Sequence, residues 1–310
     1  MNSAFLWITH CVGLFCSTSR LARFALSRVI IRSLFLSSVL LLFACGKNAQ
    51  QEGASFLIIN MSLPRTATTS FAGIFARYNS THEFMISETV NSLIDYREGK
   101  IPAQRLRHFL KERQLRAGHR VDSASFFFLA PEVVYDTFPD AKFFLAVRAC
   151  ESWVVSMVDN SVFAHKMIRE GKTTVDLSFL PRYSEFFIRN HKDVSFQEIP
   201  QLRRDAQHVV QELAHFWGKT SLQLLDSMLQ LPRHRRLIIH MEDFNGSTDA
   251  FARLAGIPAS GLQLQNQHLN RDRAMDYYRE ILGKKNLEAA CSPQQQKVDA
   301  WFLAHAAEVN

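Results

Sequence analysis

The chain has 310 residues, 47% of them hydrophobic, which is enough for one large α/β domain or two small ones with a filled core. Its formal net charge is +7, and the only charged residues before Cys45 are four arginines, Arg20, Arg23, Arg28 and Arg32. Without that segment 32 basic residues stand against 29 acidic ones, an excess too small to indicate nucleic-acid binding.

Residues 1–45 have the pattern of a signal peptide or a membrane anchor. They contain no acidic residue and end in an apolar run between Arg32 and Cys45. That run of about a dozen residues suits a signal peptide, whereas a spanning helix needs about 20. The end of the run resembles a bacterial lipoprotein cleavage box, in which Cys45 would be lipidated, and the long stretch upstream suggests that translation begins near Val29.

We therefore expect an exported, membrane-associated protein, with an uncleaved signal anchor or a cytoplasmic protein as alternatives. Residues 46–54 are small and polar, as in a linker, so residues 55–310 should form the folded domain. Apart from Cys45, only Cys150 and Cys291 remain in the mature chain, and this predicts neither a disulfide framework nor a metal site.

The most informative stretch is an apolar strand pattern, Phe56 to Met61, that runs into a hydroxyl-rich loop and then a helix beginning at 68–70. Such a loop directs backbone N–H groups at one point, where phosphate or sulfate binds favourably, and Arg65 adds positive charge. The P-loop NTPase motif is absent, so the lysine and magnesium-binding hydroxyl of those enzymes are missing. An ordinary strand-to-helix turn is the alternative interpretation.

Helices and strands alternate after this loop. A turn from Asn79 leads to a helix that ends near Arg97, and a second helix, Ile101 to Arg116, carries a basic face. That face is expected to be solvated or to guide an anionic acceptor, and its residues are Arg105, Arg107, Lys111, Arg113 and Arg116. A short strand at His119 to Asp122, a helix from Ser125 to Asp136 and a buried strand from Lys142 to Val147 follow.

This alternation predicts an α/β fold, a three-layer sandwich with a central parallel sheet. Ligands of such sheets bind at the carboxyl ends of the strands, where the loop of Arg65 and the residues after Val147 should meet. Arg148 stands at the tip of that second strand, and Ser156 follows eight positions later. In a helix starting near Cys150, both side chains could close on one phosphate.

This pair of motifs resembles the sulfotransferase superfamily that uses 3′-phosphoadenosine 5′-phosphosulfate (PAPS), whose fold is similar to that of P-loop NTPases. The resemblance spans roughly Ser55 to Arg273. It implies that Arg148 and Ser156 bind the 3′-phosphate, and that a C-terminal loop brings Arg271 over it. The residues that it places at the 5′-phosphosulfate are Arg65, Thr66, Ala67, Thr68, Thr69 and Ser70. Ala67 departs from the family's usual glycine and needs a compatible backbone conformation.

Later segments match the same family. A long helix is predicted from Asp205 to Gln230, a strand begins at Arg236, and Thr248 to Ala255 forms a short helix closed by Gly256. The mixed stretch Ser161 to Ser195 has the character of an insertion that covers an acceptor pocket.

The implied reaction transfers a sulfuryl group from PAPS to a hydroxyl or amine and leaves adenosine 3′,5′-bisphosphate (PAP), without a metal. Arg65 would act on the reacting group. The base is open from the sequence: Asp122 is favoured narrowly, the group His82, Glu83 and Glu88 is the alternative, and Asp122 is equally well explained as a structural acceptor. A nucleotide kinase-like enzyme and a non-catalytic envelope lipoprotein that retains the fold are the competing functions.

Overall fold

A computed structural model describes residues 57–172, 179–188, 198–263 and 275–309 of the chain. Its described part contains a five-stranded sheet in the order β2-β3-β1-β4-β5, and every neighbouring pair is parallel. The strands are β1 (Ile58–Asn60), β2 (Ser80–His82), β3 (Val121–Ser123), β4 (Lys142–Val147) and β5 (Arg236–His240). The predicted α/β class with a central parallel sheet is confirmed.

Helices connect the strands and continue beyond β5. They are α1 (Thr68–Ile74), α2 (Ile86–Arg97), α3 (Ala103–Ala117), α4 (Pro131–Thr137), α5 (Cys150–Arg169), α6 (Leu180–Phe187), α7 (Ile199–Leu229), α8 (Thr248–Ala255), α9 (Met275–Leu282), α10 (Lys284–Ala304) and α11 (Ala306–Val309).

Both faces of the sheet are covered, as the apolar character of β4 requires. Phe143 and Leu145 pack into the larger core with Trp153 of α5 and Trp217 of α7. Phe144 points the other way and stacks on Phe71 of α1, with ring centroids 4.2 Å apart. Successive side chains of a strand point to opposite faces, so a strand buried on both faces carries a continuous apolar run. The result is the predicted three-layer arrangement.

The order of the strands places β1 at a switch point. The chain leaves β1, builds β2 and β3 on one side of it, and then crosses to β4 on the other side. Loops that follow β1 and β4 therefore emerge next to each other at the carboxyl edge of the sheet, where ligands of open α/β sheets bind. This geometry brings together the two loops that the sequence analysis singled out.

Three predicted elements were wrong in detail. Ser80–His82 is a strand and not a turn, so the predicted second strand is the third and lies at Val121–Ser123. The single helix predicted from Ser125 to Asp136 is a 3₁₀ turn followed by α4, because Pro131 has no N–H to donate and starts a new helix. The predicted insertion begins inside a helix, since α5 continues to Arg169.

The cysteine prediction is also corrected. Cys150 at the start of α5 and Cys291 in α10 form a disulfide, with their Cα atoms 5.5 Å apart. They are 141 residues apart in sequence, and the fold brings them together because α10 packs against both α5 and α7. Sequence spacing alone does not reveal a pairing of this kind.

Other predictions fall outside the described residues: the signal segment 1–45, the linker 46–54 and the candidate ligand Arg271. The described residues belong to one compact unit that begins at Ala54. Within them, none of the helices has the length and apolar character that crossing a membrane requires.

Candidate functional site

The loop between β1 and α1, residues 61–67, rests on a buried polar network. Asn60 donates from Nδ2 to Ser123 Oγ at 3.0 Å, and its Oδ1 accepts the N–H of Ser62 at 2.9 Å. Ser62 Oγ accepts the N–H of Ala146 at 2.8 Å, while Ser123 Oγ donates to the carbonyl of Thr68 at 2.6 Å. Asn60, Ser62 and Ser123 are fully buried, so these bonds tie the loop to its two neighbouring strands.

Two side chains from α5 and the turn before it hold the carbonyl groups of this loop. Trp153 Nε1 donates to the carbonyl of Pro64 at 2.8 Å, and Arg148 Nη1 donates to the carbonyl of Arg65 at 3.0 Å. The C=O and N–H of a trans peptide point in opposite directions. The N–H groups of Arg65 and Thr66 are therefore directed away from these donors, as in a loop that receives an anion.

Two loop residues adopt left-handed backbone conformations that favour glycine. Arg65 has φ 65° and Ala67 has φ 56°, and Ala67 precedes the first residue of α1. A left-handed conformation costs a residue with a Cβ about 1–2 kcal/mol. Ala67, which the sequence analysis places where the similar motif has glycine, thus has a conformation that glycine adopts without strain. Strain of this kind clusters at functional sites.

The predicted ligands of the two phosphates are in contact with one another. Arg65 donates from Nε to Ser156 Oγ at 2.9 Å, and Arg148 reaches the backbone of Arg65. Ser156 is fully buried in α5, while both arginines are half-buried. Arginine side chains at a partly buried position favour a bound anion, because the guanidinium group donates several charge-assisted hydrogen bonds.

Two of the candidate bases, His82 and Glu83, lie at the end of β2, beside the first turn of α1. His82 Nε2 is 3.1 Å from Thr68 Oγ1 and 3.3 Å from Thr69 Oγ1, so it contacts the hydroxyls at the start of α1. Glu83 follows in a left-handed conformation, φ 55°, and its Oε1 accepts a hydrogen bond from Ser125 Oγ. The carboxylate of Glu83 is also 3.8 Å from His82 Nε2.

Glu88 lies further along, exposed in the first turn of α2. Ser70 carries the third hydroxyl in the first turn of α1, after Thr68 and Thr69, and is half-buried. Thr66 is buried, and its hydroxyl donates to the carbonyl of Leu63. Thr66 thus shapes the loop from within.

Asp122 has a different environment from the other candidate bases. It is 2% exposed and forms a buried ion pair with Arg113, whose Nη2 is 3.2 Å from Asp122 Oδ1. His119 Nε2 lies 3.1 Å from Asp122 Oδ2. Burial alone would raise the pKa of Asp122, but the contacts with Arg113 and His119 outweigh it and hold the pKa below its usual value. This geometry favours the structural interpretation of Asp122.

Arg113 corrects one sequence prediction, since it belongs to the face of α3 that was expected to be solvated. Its side chain is 2% exposed and donates from Nε and Nη2 to the carbonyl of Phe84, at 3.1 and 2.8 Å. It therefore links Asp122 to the turn that carries Glu83. The spacing could have revealed this, because Leu106, Leu110 and Arg113 share one helical face and all three are buried.

Sequence analysis did not single out Tyr183 or Trp153. Tyr183 of α6 donates to the carbonyl of Ser125 at 3.2 Å, and Ser125 is the residue whose hydroxyl donates to Glu83. Burial raises the pKa of the Tyr183 hydroxyl well above its usual value, and the charge of Glu83 adds to the shift. Tyr183 and Trp153 belong to an aromatic cluster with Phe128, Phe187 and Phe216 that lies behind this side of the site.

Comparison with known proteins gives the family. A family model described as a sulfotransferase domain matches residues 57–212, half of the chain. Among solved structures, the crystal structure of a sulfotransferase from Alicyclobacillus acidocaldarius aligns with 76% of this chain and 96% of its own, at 14% identity and a TM-score of 0.38. No curated protein matches the sequence. On the family match, which contains the loop of Arg65, the residues after β2 and the pair Arg148 and Ser156, this chain belongs to the sulfotransferase domain family.

Proposed function

We propose that the protein transfers a sulfuryl group from PAPS to a hydroxyl or amine acceptor. The observation that carries this proposal is the contact network of Arg65, Ser156 and Arg148, which brings together the two arginines that would each hold one phosphate position of the donor. A donor with phosphate groups on both its 3′ and 5′ positions requires two such positions. An enzyme that binds only a nucleoside triphosphate requires one continuous phosphate cradle.

The residues present fit this donor. The N–H groups of the loop at 65–66 and the hydroxyls of Thr68, Thr69 and Ser70 would hold its 5′-phosphosulfate, whereas Arg148 would hold its 3′-phosphate. The donor supplies the sulfuryl group and an adenosine bisphosphate leaving group. Ser156, bonded to Arg65, links the two halves of this arrangement.

Arg65 would perform the electrostatic part of the transfer. Sulfuryl transfer resembles phosphoryl transfer, in which positioning and neutralisation of charge on the leaving group account for most of the catalysis. A guanidinium at the reacting end neutralises that charge as the bond to sulfur breaks. The left-handed backbone of Arg65 and the bond from Arg148 to its carbonyl fix the direction in which its side chain leaves the loop.

Glu83 is the base that we propose for the acceptor. It would take the proton of the acceptor hydroxyl or amine while the acceptor oxygen or nitrogen bonds to sulfur. Three contacts support this choice over Asp122: Ser125 holds the carboxylate, His82 contacts the hydroxyls of α1, and Arg113 holds the carbonyl of the residue that follows Glu83. Asp122, by contrast, already has its oxygens engaged by Arg113 and His119.

The direct test is transfer of radioactive sulfate from labelled PAPS by the full chain to p-nitrophenol, a tyrosine peptide, a glycolipid and an amino sugar. We expect transfer to at least one of them, and a Glu83→Gln variant should lower turnover about 100-fold or more. Glu88→Gln is the matched control and should stay within about twofold, because removal of a carboxylate far from the transferred proton does not touch that step.

A different result would redirect the assignment. Loss of turnover in Glu88→Gln or His82→Gln but not in Glu83→Gln would move the base to those residues. ATP turnover without PAP binding would favour the kinase-like alternative, and binding of neither nucleotide would favour a non-catalytic protein that retains the fold.

We also propose that the protein is exported and held at a membrane by residues 1–45. The disulfide between Cys150 and Cys291 supports this location, because disulfides form and persist in oxidising compartments. Fractionation followed by N-terminal analysis should find a lipidated Cys45 as the first residue of the mature chain. An intact Met1 in the membrane fraction would contradict cleavage at Cys45.

A further inference from the structure

The C-terminal helices α9 and α10 contact the turn that carries Arg148, although they lie outside the matched family domain, which ends at residue 212. Cys291 of α10 is bonded to Cys150, two residues after Arg148, and Arg279 Nε of α9 lies 3.2 Å from Glu151 Oε1. From these contacts we infer that α10 positions Arg148 for the 3′-phosphate of the donor through Cys291 and Gln295. This inference rests on the proposed function.

Gln295 caps the first turn of α5. Its Oε1 accepts the N–H of Cys150 at 2.9 Å, and its Nε2 donates to Asp299 Oδ1 at 2.7 Å, which orients the amide. The first N–H groups of a helix have no partner within the helix, and the side chain of Ala149 offers none at the N-cap of α5. Gln295 therefore supplies from another helix the cap that the local sequence lacks.

The backbone on the other side of the turn is held as well. Trp217 of α7 donates from Nε1 to the carbonyl of Arg148 at 3.1 Å. In the segment from Arg148 to Cys150, α7 thus holds the carbonyl of Arg148, and α10 holds the N–H of Cys150 and, through the disulfide, its sulfur. Two helices that pack on each other fix the origin of the Arg148 side chain.

The support itself is rigid because α10 packs closely on α7. A Cβ built on Gly218 of α7 would lie only 2.9 Å from Gln294 Cβ and 2.5 Å from Gln294 Oε1, so the two helices approach as closely as a glycine allows. Further along, Trp301 Nε1 donates to Asp226 Oδ1 at 2.7 Å. Cys150 and Cys291 are 1% and 4% exposed, so the disulfide is part of this packed interface.

This arrangement predicts how the affinities for two nucleotides, PAP and adenosine 5′-monophosphate, change when α10 no longer holds the turn of Arg148. Loss of either α10 contact should loosen the turn of Arg148 and weaken recognition of a 3′-phosphate. The loop of Arg65 would lose at most the bond from Arg148 to its carbonyl, because Asn60, Ser62 and Ser123 still tie it to β1, β3 and β4. PAP carries both phosphates and adenosine 5′-monophosphate carries only the 5′ one. The ratio of their affinities therefore reports the state of Arg148, whereas a general loss of stability would weaken both ligands alike.

The test is calorimetric titration of the full chain with PAP and with adenosine 5′-monophosphate. In Cys291→Ser and in Gln295→Met the preference for PAP should fall about tenfold, the size expected when one charged hydrogen bond is misplaced, with 5′-monophosphate affinity within about twofold of wild type. Gln296→Met is the matched control, since Gln296 is exposed on the same helix. It should leave the preference unchanged.

Gln295→Met keeps both cysteines, so it tests the inference even if Cys291→Ser does not fold. An unchanged preference for PAP in a folded Gln295→Met variant with no titratable Cys150 or Cys291 thiol would overturn the role of Gln295, and an unchanged preference in folded Cys291→Ser would overturn that of the disulfide. Absence of any preference in the wild type is a separate result. It would remove the proposed function and this inference with it.

Discussion

Two arginine environments at the same edge of the sheet have opposite characters. Arg113 is buried against the carboxylate of Asp122, so its charge is neutralised inside the protein. Arg65 and Arg148 are half-buried, and they donate hydrogen bonds to Ser156 Oγ and to the backbone carbonyl of Arg65. The same residue type stabilises the fold in one place and, in the function that we propose, binds the donor in the other.

Substitution of Arg65 should have the largest effect on the reaction and a small effect on the fold. Arg65→Ala removes the charge that we place at the leaving group, so we expect turnover to fall about 1,000-fold or more, as when a charge-stabilising arginine is lost from a phosphoryl-transfer enzyme. Steady-state kinetics beside urea denaturation measures both quantities. Arg105→Ala removes an exposed arginine from α3 and is the control for charge alone.

The comparison would break if Arg65→Ala unfolded the protein as readily as it lowered turnover. Arg65 would then be a structural residue like Arg113, and another residue would have to neutralise the charge on the leaving group.

Substitution of Asp122 should have a large effect on stability, in contrast to that of Arg65. Asp122→Asn leaves Arg113 as a buried cation with an incomplete partner, so we expect the free energy of unfolding to fall by about 3–5 kcal/mol. Asp136→Asn is the matched control, because Asp136 forms an exposed pair with Arg107 at 3.8 Å. An exposed pair of this kind contributes about 0–1 kcal/mol.

The pH dependence of stability has a definite sign for the same pair. Burial would raise the folded pKa of Asp122, but Arg113 and the contact with His119 lower it, so its contribution is fully present above the unfolded pKa of about 3.9 and is lost as pH falls through the folded value. Asp122→Asn should therefore flatten the acid limb of the stability curve. An acid limb that remains as steep as that of the wild type would contradict the ionised pair.

Ala67→Gly should have the smallest effect, and its sign is informative. The left-handed conformation of Ala67 is strained, so glycine should raise the free energy of unfolding by about 1 kcal/mol. Ala300→Gly, at an exposed position in the interior of α10, should lower it by about the same amount. Equal destabilisation by both changes would mean that the loop is not strained at position 67.

The parts of the fold that sequence could predict are those with local signals. The strand Lys142–Val147 and the helix Thr248–Ala255 have the predicted bounds, because one is a continuous apolar run and the other ends at a left-handed Gly256. The strand Ser80–His82 could not be read in this way. It lies at the edge of the sheet, has only polar side chains, and forms because β3 offers it a parallel partner.

The candidate site also has some features with local sequence signals and others without them. The loop of Arg65 and the Arg148 and Ser156 pair are marked by residue type and spacing. The pairing of Arg113 with Asp122, the cap from Gln295 and the disulfide between Cys150 and Cys291 depend on contacts between distant segments. Such contacts are set by the packing of helices, which local pattern does not encode.

The most direct test of the account is the affinity of the full chain for PAP and for adenosine 5′-monophosphate, in the wild type and in Arg148→Ala. We predict that the wild type prefers PAP and that Arg148→Ala removes the preference, since the 3′-phosphate loses its charged hydrogen bond. The 5′-monophosphate affinity should stay within about threefold, because the loop of Arg65 loses its bond from Arg148 but keeps those made by Asn60, Ser62 and Trp153. Equal affinity of the wild type for the two nucleotides, or a preference that survives in Arg148→Ala, would contradict the account.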